Sequence, residues 1–271
     1  MRERGRRVLL GVMLLVSVVP LLFLLMCPQR ASCLRSMWPP SLWLAGAAKV
    51  GLALSAASLV AWAARLAWLL RVDARLVHAL HASRTPPAKL QAALSGVGLR
   101  RARCVVSERP IAFCAGALRP VVVVSDGLAR CLPPAELRAV LIHELDHATR
   151  REPLLRAATR SAADVLFYAP AVRWWCRWLA AKSELRADRA AIDAVGRSAV
   201  ARALITLAGD ARLYGAAAFA GIARLRVAQV LGEPLPPQTP ELSVLGITGA
   251  GFYLAFVVTA CLVNVALRLV H

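Results

Sequence analysis

Apolar residues along this chain gather into long runs and then give way to shorter amphipathic patterns. Val8 to Cys27 is twenty residues without a charge, Leu42 to Ala64 contains only Lys49, and Val244 to Leu267 contains none. Twenty helical residues span about 30 Å, the thickness of a bilayer's hydrocarbon core. The runs predict transmembrane helices at residues 8–27, 42–64 and 243–267. A cleaved signal peptide is the other reading of the first run. Its apolar stretch is longer than the usual run of about 7–15 residues and no clear A-x-A site follows, so a retained span is expected.

Between the second and third runs, residues 65–242 are enough for one compact domain. No repeat occurs at solenoid spacings. A helical pattern runs from Val72 to about His81, pauses at "TPP" (85–87) and resumes from Ala88 to Leu94. Three β-rich pieces follow: "CVVS" (104–107), "PIAFC" (110–114) and "VVVVS" (121–125), each bounded by Gly, Pro or charge. After Pro133 and Pro134 the pattern turns helical, broken at Pro170 and around Gly196, and "GEPLPPQTPE" (232–241) is a linker into the last run. The reading is an α+β domain inserted between transmembrane helices.

Composition agrees, with 59% hydrophobic residues and a mean hydropathy of +0.59 beside a net charge of +19, a combination seldom met in soluble domains. The arginines set the orientation. Four lie in "MRERGRR" and three, Arg65, Arg71 and Arg75, crowd the far end of the second run. By the positive-inside rule residues 1–7 and 65–242 are cytoplasmic, while the loop 28–41 and the tail 268–271 are external. The expected location is therefore the cell membrane, multi-pass, with membrane lipid as a partner. No nucleic-acid motif accompanies the basic charge, and direct nucleic-acid binding is not expected. The seven cysteines form no C-x-x-C pair. Those at 104, 114, 131 and 176 read as small buried hydrophobes in a reducing compartment.

Candidate chemistry lies in "IHELDHATRREP" (142–153). Pro134 suits the first turn of its helix, Glu136 favours the positive end of the dipole, and Leu137, Val140, Leu141 and Leu145 recur on one side. His143 and His147, four apart, then share a face and can bind one ion, while Glu144 can take a proton from the attacking water. Three fixed positions alone leave a solvated helical face as an equal reading. A catalytic zinc needs a third protein ligand. "WLAAKSELRADRAAIDAV" (178–195) is strongly helical and carries Glu184 and Asp188 on one face. Glu184 could complete the ligand set and Asp188 could orient a ligand histidine. The rival is ordinary pairing of these acids with Arg186, Arg189 or Lys182 along an exposed helix.

"GALRPVVVVSDGLARCLPPAELRAVLIHELDHATRREPLL" followed by "APAVRWWCRWLAAKSELRADRAAI" resembles the membrane zinc metallopeptidases of the BlaR/MecR type, in the gluzincin clan. The resemblance covers roughly residues 100 to 230 and rests on H-E-x-x-H paired with a downstream E-L-x-x-D. It implies a zincin-like domain with His143, His147 and Glu184 as zinc ligands, Glu144 as catalytic base and Asp188 behind a ligand. It also implies a protein substrate, a transcriptional repressor being the favoured one. Two departures stand out. The tyrosine that relatives often carry after the acidic ligand is replaced by "GRSAVARALITLA" (196–208), so no oxyanion-stabilising side chain is assigned. The extracellular penicillin-binding sensor is not seen before the sequence ends at His271, so proteolysis is expected without antibiotic sensing.

The resemblance further suggests that "AFCAGALRP" (112–120) is a sheet edge onto which substrate adds as a strand; a plain structural strand and turn is the equal alternative. Phe167, Tyr168, Trp174, Trp175 and Trp178, interleaved with Arg173 and Arg177, suit either the cytoplasmic bilayer face or core packing. Two other functions fit the same residues: a quality-control protease of the HtpX kind, and a catalytically silent receptor or scaffold. The oligomeric state has no signature in the sequence.

Overall fold

One helix, α1 (Pro40–Ala79), runs unbroken through the second predicted span and the separate helix expected after it. No glycine or proline interrupts residues 52–79, and arginine is a good helix former, so Arg65, Arg71 and Arg75 end the apolar run without ending the helix. Arg65 lies over the Trp68 ring at 4.4 Å. At 1.5 Å per residue the helix is about 60 Å long, twice the hydrocarbon thickness. The computed structural model describes residues 40–80, 85–211, 217–236 and 239–270. The predicted first span at 8–27 and the tail before it lie outside the described residues.

Two described helices are long and apolar enough to cross a membrane: Lys49–Ala79 within α1, and Leu242–Thr259 within the last helix, α9 (Leu242–Val270). Only 6% of the most apolar window of each is buried, which is not how a core helix behaves. They overlap the predicted spans at 42–64 and 243–267, and α9 continues through most of the predicted tail.

The chain divides into two compact units. Among the described residues, one holds α1 as far as Ala64, Ala162–Trp174 and the residues from Thr239 to Val270; the other holds Arg65–Ser161 and Trp175–Gln238. In the first, α9 packs on the turn before Pro170. Tyr168 meets Phe167 and Phe252 edge-on, with ring centroids 5.5 and 5.3 Å apart, and the Thr248 hydroxyl accepts the Ala171 N–H at 2.9 Å. A Cβ on Gly251 would fall 1.9 Å from the Tyr168 carbonyl oxygen. Part of the aromatic cluster is therefore packing.

The second unit carries α2 (Ala88–Val97), β1 (Ala102–Val105), β2 (Ala112–Ala115), β3 (Val121–Ser125) and α3 (Asp126–Cys131). Helices α4 (Pro134–Thr149), α5 (Glu152–Val165), α6 (Pro170–Val195), α7 (Arg197–Ala211) and α8 (Ala217–Leu231) follow, α5 and α6 each shared with the first unit. The sheet order is β1-β3-β2, with β1 parallel and β2 antiparallel to β3. The run of four valines is the central strand. Val122, Val124, Leu90, Leu128, Leu137 and Leu141 form the core, which seats α4 against the sheet.

β1 starts two residues before "CVVS" and β2 starts two residues into "PIAFC" because residues 106–111 wrap the start of α3. Ser125 caps α3 by accepting the Leu128 N–H at 3.1 Å and also donates to the Arg109 carbonyl at 2.7 Å. The Gly127 N–H donates to the Ser107 carbonyl, and a Cβ there would lie 2.3 Å from the Glu108 oxygen. The expected breaks at Pro170 and Gly196 are present, and a further one falls at Arg150–Arg151, where Arg151 has φ +51°.

Candidate active site

One turn apart on α4, His143 and His147 face each other edge-on with ring centroids 4.7 Å apart and Nε2 atoms 3.0 Å apart. From α6, Glu184 brings Oε2 to 3.4 Å from the His143 Nε2 and Oε1 to 3.6 Å from the His147 Nε2. A tetrahedral ion held at about 2.0–2.1 Å by each ligand separates them by roughly 3.3 Å. The observed 3.0, 3.4 and 3.6 Å bracket that spacing. Two imidazole nitrogens and a carboxylate oxygen form a donor set that zinc favours, with a fourth position left for water.

The ligand histidine is oriented from behind. His143 donates its Nδ1–H to Asp188 at 2.9 Å, so Nε2 is the nitrogen turned toward the ligand cluster. Asp188 is 1% exposed and accepts two bonds at 2.7 Å from Arg226 of α8. Arg226 also reaches Glu184 at 3.3 Å. Arg156 of α5, half exposed, donates to Glu184 at 2.6 Å.

These contacts set the protonation states. Burial works against a charge on His143, but its bonds to Asp188 and Glu184 outweigh this and raise it to about 9. Burial, and then the charge on His143, lower His147 to about 4. Burial opposes ionisation of Glu184, yet the bond from His143 and the charges of His143 and Arg226 hold it below the usual carboxylate range. Glu144 is raised, chiefly by burial, against the opposing charge of His143. A base that holds its proton more readily than a free carboxylate suits proton transfer near neutrality. On β2, which packs against α4, the Cys114 thiol is pushed up to about 12 by burial and then by the charge of Glu144.

All four candidate residues, and Asp188 behind them, are brought together. The rival pairing does not occur. Arg186 binds Asp146 at 2.9 Å and Glu152 at 3.4 Å, Arg189 binds Asp193, and Lys182 lies over Trp178. Arg226 and Arg156 were not legible in the sequence. Each is one arginine among many, far along the chain from the acid it meets.

Residues 88–175 match the model of peptidase family M48. The M48 match takes in the sheet and the whole H-E-x-x-H helix and stops short of Glu184 and Asp188, whose placement beside the histidines is the geometry's own contribution. Two curated relatives are each described as "Protease HtpX homolog". The one from Thermococcus kodakarensis is 32% identical over 97 residues, covering 35% of this chain and 32% of the relative. The one from Thermococcus sibiricus is 32% identical over 104 residues, covering 38% and 36%. The chain thus spans about a third of the length of the curated relatives it matches. No solved structure matches it. The M48 model and both relatives are named for peptidases or proteases, and neither relative is described as of the BlaR/MecR type.

Proposed function

We propose that the chain is an integral-membrane zinc metalloendopeptidase whose catalytic unit lies on the cytoplasmic side and hydrolyses peptide bonds of membrane or cytoplasmic proteins. The observation that carries this reading is the convergence of His143 Nε2, His147 Nε2 and a Glu184 oxygen at tetrahedral ligand spacing, with Glu144 on the same helix. A zinc ion bound there would supply a Lewis acid for the scissile carbonyl and lower the pKa of water. Glu144 takes the proton of the attacking water and passes it to the leaving amine. Asp188 and Arg226 hold His143 in the tautomer that ligation requires. The outer edge of β2 offers main-chain groups to an extended substrate.

The membrane location is supported by two long apolar helices with exposed surfaces, and the orientation by Arg65, Arg71 and Arg75 at the far end of the apolar run in α1. Of the duties that fit, quality control of membrane proteins of the HtpX kind is favoured by the relatives' description. Cleavage of a transcriptional repressor, as in the BlaR type, rests on the wording of "LRPVVVVSDGL" and "HATRREPLL". The test is a comparison of the proteomes of cells expressing wild-type and Glu144→Gln chains. Quality control predicts fragments of several membrane proteins with the active form only, and the regulatory duty predicts a fragment of one DNA-binding protein. Equal fragments in both would overturn the protease reading.

A further inference from the structure

The C-terminal end of α1 is fastened to both outer strands of the sheet. Arg103, on β1, donates to the carbonyls of Val77 at 2.5 Å and Leu80 at 2.8 Å. Asp73, one and two turns earlier, accepts the backbone N–H of Gly116 at 3.2 Å through Oδ1 and that of Ala117 at 2.6 Å through Oδ2. These two N–H groups follow the last residue of β2 directly, at the point where pairing with β3 ends at Ala115 and Val121. Gly116 is at φ +87°, and a Cβ on it would lie 2.4 Å from the Arg119 carbonyl oxygen, so residues 116–119 turn too tightly for any other side chain.

β2 is an outer strand, with no strand on its far side among the described residues. Ala112, Phe113 and Cys114 are half-buried, and the charge of Glu144 is felt at Cys114. A peptide added along that edge pairs through main-chain groups alone, so how well it is bound depends on where β2 is held. A carboxylate that accepts two successive N–H groups fixes a chain end more strongly than neutral partners do.

We propose that Asp73 is a positioning residue for substrate: by taking the N–H groups of Gly116 and Ala117 it fixes the end of β2 and so aligns its outer edge for pairing with an extended peptide. This rests on the protease reading above. Asp73 touches none of the ligand residues, so its effect falls on binding of an extended chain and not on the ion or the proton transfer.

The experiment uses the full chain in detergent with zinc bound, an eight-residue fluorogenic peptide as substrate, and a small hydroxamate, which reaches only the ion, as inhibitor. For Asp73→Ala, KM for the peptide is expected to rise roughly tenfold, as befits two lost bonds to a charged acceptor. kcat, the hydroxamate inhibition constant and zinc content should stay near wild type, while the melting midpoint falls because the buried Ala117 N–H loses its acceptor. Asp73→Asn keeps the side-chain shape and one acceptor oxygen. It should give a smaller rise in KM, and it carries the comparison if the alanine variant does not fold. An unchanged KM, or a loss in which kcat and the hydroxamate constant move together with KM, overturns the inference. A wild-type chain that holds zinc but cuts the peptide no faster than Glu144→Gln overturns the protease reading, and this inference with it.

Discussion

Asp188 accepts the Nδ1–H of His143 at 2.9 Å while Arg226 grips it with two bonds of 2.7 Å, so a residue of α8 fixes the tautomer of a histidine on α4. Removing Arg226 leaves a buried carboxylate with half its partners. Arg226→Ala should weaken zinc binding by about 10–100-fold, as lost outer partners of ligands do. It should also destabilise the fold by on the order of 3–5 kcal/mol, because one member of a buried pair has gone. Zinc titration and thermal melts check both, and wild-type zinc affinity in the variant would show that Arg226 serves only packing.

Glu184 lies beyond the M48-matched segment, so its role as third ligand is a separate claim. Glu184→Ala should purify without zinc, since two imidazoles alone are too few for tight binding. Glu144→Gln should keep its zinc. Metal analysis decides, and equal zinc in Glu184→Ala would point to a different third ligand.

Zinc affinity should depend on pH in a defined way. In the metal-free fold His143 is raised to about 9 and is protonated at pH 7, whereas His147, lowered to about 4, is already neutral. Binding must displace the proton on His143, so affinity should climb close to tenfold per pH unit through neutrality and level off above pH 9. Calorimetry at pH 7 in buffers of different ionisation enthalpy should report about one proton released per zinc bound. A pH-independent affinity between pH 6 and 8 would contradict the value for His143.

Topology follows from the arginines. Reporter fusions after Arg75 and after Pro240 should read cytoplasmic, and one at His271 external. A cytoplasmic reading at His271 would remove one of the three expected spans, and Lys49 makes the second the first to question.

The parts of the molecule legible in the sequence were those with a period. The apolar runs marked α1 and α9, the valine run marked the central strand, and the four-residue spacing placed His143 and His147 on one face. α1 is longer than its apolar run because Arg65 ends the run without breaking the backbone hydrogen bonding of the helix. β1 and β2 were displaced because Gly127 and Ser125 draw residues 107–111 into a loop, a contact with no local pattern. Glu184 and Asp188 were found because they share a helix face. Arg226, Arg156 and Asp73 were not, because each acts through a partner dozens of residues away and belongs to no motif.

The central claim is that Glu144 is the base of a zinc peptidase, and matched turnover measurements test it most directly. Wild-type and Glu144→Gln chains are loaded to equal zinc content and assayed on one peptide across pH. The account predicts equal zinc and a loss of kcat of about 100-fold or more in the variant, the usual cost of removing a general base. Loss of turnover in the wild type on chelation, and its return with zinc, completes the expectation. Equal turnover by the two forms at equal zinc would contradict the account.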